Sequence, residues 1–196
     1  MSKLDVQPLT PGRWPDLEAI FEARGCSVAR GCWCMYYRVS GKETGFTRPG
    51  DAQRERSKQA LKALAGDDPP PGLIGYRDGV PVGWVSLGPR AVYAKLARSP
   101  TMKPVDEQAV WSIVCFVVPS EYRKQGVARD LLAGAIRWAR RRGVRLLEAY
   151  PVDKSHPSAS DAPWFGSKTL FDAAGFEEVA RRKPARPIVR LKLEGE

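Results

Sequence analysis

The chain has little with which to bind a metal or cross-link itself. It contains one histidine, His156, and four cysteines, Cys26, Cys32, Cys34 and Cys115. Cys32-Trp33-Cys34 with Cys26 lacks the usual spacer and the second Cys/His pair of a zinc site, so no metal is expected. The opening Met1-Ser2-Lys3-Leu4-Asp5 lacks the apolar core of a secretory signal. A cytoplasmic protein without disulfides is therefore expected, its thiols buried or lining a substrate site. No apolar run approaches the roughly 20 residues of a membrane span. Acids are also scarce: 22 Asp and Glu stand against 32 Lys and Arg, a formal charge of +10. That imbalance favours acidic partners, whether nucleic acid, an anionic membrane or a phosphate-bearing cofactor.

The 196 residues suit one domain spanning 1–196, since no repeat or low-complexity linker divides them. Leu4–Pro8 reads as a strand, and Trp14–Ala23 as a helix with Trp14, Leu17, Ile20 and Phe21 on one side. The soft and aromatic run Gly25–Tyr37 is core or pocket wall. Gly41–Pro49 reads as a loop. Asp51 is a candidate N-cap for a helix to about Leu64. Leu73–Arg77 and Val82–Leu87 flank Asp78-Gly79 as a hairpin. Pro89–Val105 reads as a long surface excursion. Val110–Val118 is a doubly covered central strand. Val127–Arg142 is a helix ended by Gly143, with Val127, Leu131, Leu132, Ala135 and Trp138 on one arc. The strand Val144–Val152, the loop Asp153–Ser167, the helix Lys168–Ala174 and the strands Phe176–Arg182 and Ile188–Leu193 complete the chain. The order β-α-α-β-β-β-α-β-α-β-β predicts a mixed α/β (α+β) fold with a parallel β-α-β unit at residues 110–152.

That unit carries the chemistry. A buried strand ends at Val117-Val118-Pro119, a basic turn Arg123-Lys124-Gln125-Gly126-Val127-Ala128 follows, and a long helix begins. Helix-terminal N–H groups, small residues and two cations together make a phosphate site. Between Arg123 and Arg145 there are eight basic residues and one acid, Asp130. A basic nucleic-acid-binding module is the alternative reading of that charge. Against it, the basic residues are not interleaved with exposed aromatics and no recognised nucleic-acid motif occurs.

Arg123-x-x-Gly126-x-Ala128, in this strand-turn-helix setting and with Gly175-Phe176 after the last short helix, resembles the pyrophosphate loop of the GNAT superfamily of N-acetyltransferases. The resemblance covers nearly the whole element order. It implies a central mixed β-sheet flanked by helices, and acetyl-CoA (an acyl-CoA) as co-substrate. It places the cofactor on Arg123, Lys124, Gln125, Gly126, Val127 and Ala128, and on the backbone of Phe116, Val117 or Val118 beside a strand bulge. It further implies transfer to the amine of a small molecule or peptide, by a monomer or homodimer that needs no membrane. A CoA-binding sensor without catalysis is the other reading within the same family.

By the same resemblance, Leu147-Glu148-Ala149 puts Glu148 in the place of a general base, with Asp106 and Glu107 as runners-up. The family's frequent acid, a tyrosine four residues before Gly-Phe, is Phe171 here and has no proton to give. Tyr150 is the candidate acid, ahead of Tyr122, a cysteine or water. Trp33, Tyr36, Arg38, Trp84 and Arg90 are the candidate acceptor wall, which would suit a planar or carboxylate-bearing amine. The extended stretch Lys154–Ser167, with His156, Trp164 and Phe165, is a candidate lid or substrate wall.

Overall fold

Short apolar stretches, each closed by Gly, Pro or Asp, pair edge to edge into one seven-stranded sheet. The computed structural model describes residues 4–39, 50–156 and 163–194. In chain order the elements are β1 (Asp5–Pro8), α1 (Trp14–Glu22), α2 (Ser27–Cys32), α3 (Asp51–Ala63), β2 (Gly72–Arg77), β3 (Val80–Pro89), α4 (Ala94–Arg98), β4 (Trp111–Val117), α5 (Val127–Arg141), β5 (Leu146–Ala149), α6 (Lys168–Asp172), β6 (Glu177–Lys183) and β7 (Arg186–Lys192). The strands lie in the order β1-β2-β3-β4-β5-β7-β6. Every neighbouring pair is antiparallel except β4 and β5, which α5 connects as a crossover. Among the described residues no helix is long and apolar enough to cross a membrane.

The alternation of side chains along each strand sorts the core into two layers. On one face, Leu73, Val85, Leu87, Ile113, Leu147 and Val189 pack against Leu131, Leu132 and Ala135 of α5 and Phe171 of α6. On the other, Ile74, Trp84, Val114, Cys115 and Ile188 pack against Leu17, Ile20 and Phe21 of α1 and Leu61 of α3. The Asp78-Gly79 hairpin forms as expected, with φ of 51° and 80° that match a type I′ turn.

Several local expectations change. Gly25–Tyr37 contains the helix α2. Pro89–Val105 is no surface excursion: it folds through α4 and buries Tyr93 and Leu96. Both helices are too short to show a helical period. Gly50, not Asp51, is the N-cap of α3, and Asp51 takes the first turn, where its charge faces the positive end of the helix. The strand expected to reach Val152 stops at Ala149, because Val152 turns away to bridge Ser167. The loop Gly41–Pro49 lies outside the described residues.

Close contact between α5 and β1 sets one prediction. A Cβ placed on Gly134 would stand 2.4 Å from a methyl and 2.6 Å from the Cβ of Val6. Gly-to-Ala in a helix normally gains about 1 kcal/mol, but overpacking costs about 1–3 kcal/mol. A β-branched side chain cannot rotate its own Cβ away, so the second term wins. Gly134→Ala is expected to lower the urea unfolding midpoint; a higher midpoint would show that α5 can move off β1 freely.

Candidate active site

The central strand β4 is irregular where the chemistry is expected. Ser86 of β3 faces Cys115 and Leu87 faces Ile113, which leaves Val114 without a partner across β3. This bulge turns Val114 and Cys115 toward the same layer. On the other side, β5 pairs only with Trp111, Ser112 and Ile113. Past Ala149 the chain departs, while β4 runs on through Val114, Cys115, Phe116 and Val117. Among the described residues no strand pairs with that edge. This row of backbone donors and acceptors, left without a pairing strand, matches an extended ligand carrying amides of its own.

The open edge leads into the basic turn. Lys124 and Gly126 have φ of 59° and 79°, and Gly126 is the N-cap of α5. The first intrahelical bond runs from Asp130 N–H to Gly126 O, so the amides of Val127, Ala128 and Arg129 have no acceptor within the helix. No side chain caps this helix. The end therefore remains an anion cradle, with Lys124 exposed beside it. Arg123 plays a different part. It donates through Nε to Val118 O at 3.0 Å and through a terminal nitrogen to Gly25 O at 2.6 Å. Those bonds fasten the turn to the end of β4 and to the link between α1 and α2. Val127 points into the α5 core and Ala128 packs beside it.

Arg77, which no sequence pattern singles out, braces the turn from the end of β2. It donates to Gln125 Oε1 at 2.8 Å, while Gln125 donates to Glu121 O at 2.6 Å. An arginine closing a strand is unremarkable in sequence; only the hairpin geometry brings it to the turn.

On the α1 face, Glu148 is fully buried. Oε1 accepts from the Tyr150 hydroxyl at 2.7 Å and lies 3.2 Å from an Arg90 terminal nitrogen. Oε2 accepts from Arg190 Nε at 2.8 Å. Arg190 also grips Asp106 with both terminal nitrogens, at 2.6 and 3.0 Å. Asp106, a runner-up base, is thus an ion-pair partner; the Arg190 bonds lower its pKa to about 2. Tyr150 shares a 2.9 Å hydrogen bond with Ser112, and burial together with Glu148 raises its pKa. Glu148, Tyr150 and Ser112 form one buried chain of hydrogen bonds where β4 and β5 part.

The acceptor wall divides. Trp33 is stacked between Trp14 and Phe21, at centroid distances of 5.7 and 4.7 Å, and Trp84 is wholly interior. Neither ring offers a face to a substrate: apolar area of that size is more stable in the core than in a wet pocket. Arg38 donates to Pro71 O and to the Tyr93 hydroxyl, each at 3.3 Å. Arg90 serves Glu148, and its other terminal nitrogen is buried without a partner. Tyr36 is half-buried, with Lys95 Nζ 3.9 Å from its ring centre. Phe171, at the position of the family's frequent acid, is core, packed against Phe116 and Phe176.

The four cysteines are free thiols. Cys34 hydrogen-bonds Cys115 and, with burial, holds its thiol well above the ordinary value; burial pushes Cys32 up to about 12. Such thiols are poor nucleophiles. Among the described residues no cluster of His, Cys, Asp or Glu could hold a metal.

Residues 33–160 match the Acetyltransferase (GNAT) family. No curated protein is significantly similar in sequence. Among solved structures, an acetyltransferase from Thermus thermophilus shares 20% identity, with 98% of each chain covered and a TM-score of 0.54. The PaiA N-acetyltransferase from Thermoplasma acidophilum, solved with coenzyme A, shares 16%, with 98% of this chain and 99% of that one covered and a TM-score of 0.54. A ribosomal-protein-alanine N-acetyltransferase from Brucella melitensis shares 23%, with 97% and 100% covered and a TM-score of 0.55. At these identities the likeness speaks for the fold, while the family match extends over most of the chain and includes the open edge, the turn and α5. The chain belongs to the GNAT family of acetyltransferases, whose acyl donor is acetyl-CoA.

Proposed function

We propose that the protein is an N-acetyltransferase that passes an acetyl group directly from acetyl-CoA to an amine, with both substrates bound together. The observation that carries this reading is the unpaired edge of β4 running straight into an uncapped helix N-terminus. Bound acetyl-CoA would supply an activated thioester carbonyl. The chain's own groups divide the remaining work. Backbone groups of Phe116, Val117 and Val118 align the amide-bearing arm and polarise the carbonyl. Lys124, Gly126 and the amides of Val127 and Ala128 hold the diphosphate, with Arg123, Gln125 and Arg77 keeping the turn in shape.

An amine must be neutral to attack, so a proton has to leave. Tyr150 and Glu148 handle it as a unit: the hydroxyl takes the amine proton as it passes its own to Glu148, and the relay run in reverse returns a proton to the departing CoA thiolate. With all the groups around it, Glu148 orients rather than acts alone. Tyr150→Phe keeps the ring and removes the relay. It is expected to lower kcat by on the order of 100-fold with the KM for acetyl-CoA unchanged, read as release of the CoA thiol with a panel of small-molecule and peptide amines. Unaltered kcat would reject the relay. No thiol release with any amine in the wild type, despite acetyl-CoA binding, would favour a non-catalytic CoA sensor.

A further inference from the structure

Charge is closely balanced on the α1 face of the sheet. Arg90 and Arg190 meet Glu148 and Asp106, two cations against two carboxylates. Arg181 is held by Asp153 and Glu178. Arg182 donates to the carbonyls of Thr101, Lys103 and Pro104. Arg38 likewise has no carboxylate, but donates to two oxygens. Arg186, the first residue of β7, differs: among the described residues it has neither a carboxylate nor another oxygen partner. Its guanidinium carbon lies 4.0 Å from the centre of the Phe165 ring, and a terminal nitrogen sits 3.9 Å from Met102 Sδ. Burial lowers its pKa, and Tyr37 is the titratable group that faces it. A ring face stabilises a desolvated cation by about 2 kcal/mol, and a thioether sulfur is only a weak acceptor. They do not replace the charge-assisted bonds that a desolvated guanidinium can make.

The position of Arg186 gives that deficit a use. Phe165 belongs to a turn, Pro163–Phe165, that packs along β4. Tyr37 stands 5.7 Å from Phe165 by ring centres, and its other electrostatic neighbours are Tyr36, Cys115 and Cys32. Cys115 is the residue after the β4 bulge. Arg186 is therefore linked to β4 through the Phe165 ring and the turn that carries it.

We propose that Arg186 anchors the acceptor through a carboxylate, so that the acceptor is a small amino carboxylate with its amine toward β4 and its carboxylate on the guanidinium. This rests on the acetyltransfer reading for where the amine points. A carboxylate suits the site better than a phosphate. One planar donor fork matches one planar monoanion, and the pair leaves Phe165, Met102 and Tyr37 around a neutral unit. A phosphate dianion would leave a net charge among those groups.

Calorimetry tests the anchor with and without CoA, on the wild type, Arg186→Gln and Arg186→Lys. The probes are the proteinogenic α-amino acids, β-alanine and 4-aminobutyrate, each beside its carboxyl-free amine or amide, with O-phosphoethanolamine as the phosphate arm. At least one amino carboxylate is expected to bind roughly 10- to 100-fold tighter than its carboxyl-free partner. Arg186→Gln should erase that gap, and Arg186→Lys, which keeps the charge but not the fork, should keep part of it. The anchor is overturned if no amino carboxylate binds, if carboxyl-free partners or phosphoethanolamine bind as well, or if the gap survives in Arg186→Gln. Acetyl-CoA binding without carboxylate binding removes the anchor and leaves the acetyltransfer reading. Carboxylate binding without acetyl-CoA binding does the reverse.

Discussion

Glu148→Gln is expected to destabilise the protein by about 3–5 kcal/mol, the range for breaking one side of a buried ion pair. The carboxylate is 0% exposed and takes hydrogen bonds from Tyr150 and Arg190, with Arg90 in ion-pair contact. The loss is unequal between the two arginines. Arg190 keeps Asp106, whereas the Arg90 side chain, 12% exposed, has no other carboxylate among the described residues and already holds one buried nitrogen without a partner. Glutamine removes the negative charge and turns an NH2 donor toward other donors. The effect should appear in the denaturant midpoint, and Arg90→Met combined with Glu148→Gln should cost less than the two single changes summed. An unchanged midpoint in Glu148→Gln would mean that the buried pair contributes nothing. The consequence for enzymology is direct: lost activity in this variant reports lost structure first, and Tyr150→Phe is the cleaner probe of proton handling.

Gly126→Glu should abolish acetyl-CoA binding in calorimetry while the protein stays folded. The glycine sits at φ 79°, where an L side chain is strained by about 1–2 kcal/mol. Its Cβ would meet only the flexible end of Arg129, at 3.1 Å. A carboxylate at an α5 N-terminus that no side chain caps is also favourable to the helix, which offsets part of the strain. The same carboxylate would occupy the diphosphate cradle. Two negative charges about 4 Å apart near a protein surface repel by about 4 kcal/mol, enough for a loss of roughly 100-fold or more. Affinity close to that of the wild type would place the diphosphate elsewhere and remove the main support for the proposed site.

Much of this protein can be read along the chain. Alternating and helical patterns in β2, β3, β4 and α5 locate those elements because each has a long apolar repeat and clear stops at Asp78-Gly79 and Gly143. Arg123, Gly126 and Ala128 stand out in sequence because their spacing resembles the pyrophosphate loop of the family. The misses share a cause. α2 and α4 are shorter than the window in which a helical period shows. Trp33 and Trp84 look alike in sequence whether they line a pocket or fill a core, and packing against Trp14 and Phe21 decided for Trp33. Arg123 reads as a free cation until its two backbone acceptors are seen.

The sequence by itself determined the strand-turn-helix, the mixed α/β order and the basic turn, since local propensity and spacing suffice for each. Only the tertiary structure decided where β4 loses its partner, which carboxylates are spent on which arginines, and that Arg186 is left with none among the described residues. Those properties depend on residues far apart in the chain: Glu148 meets Arg90 and Arg190, and Arg190 meets Asp106. Charge pairing is a sum over neighbours in space, and chain order does not reveal that sum.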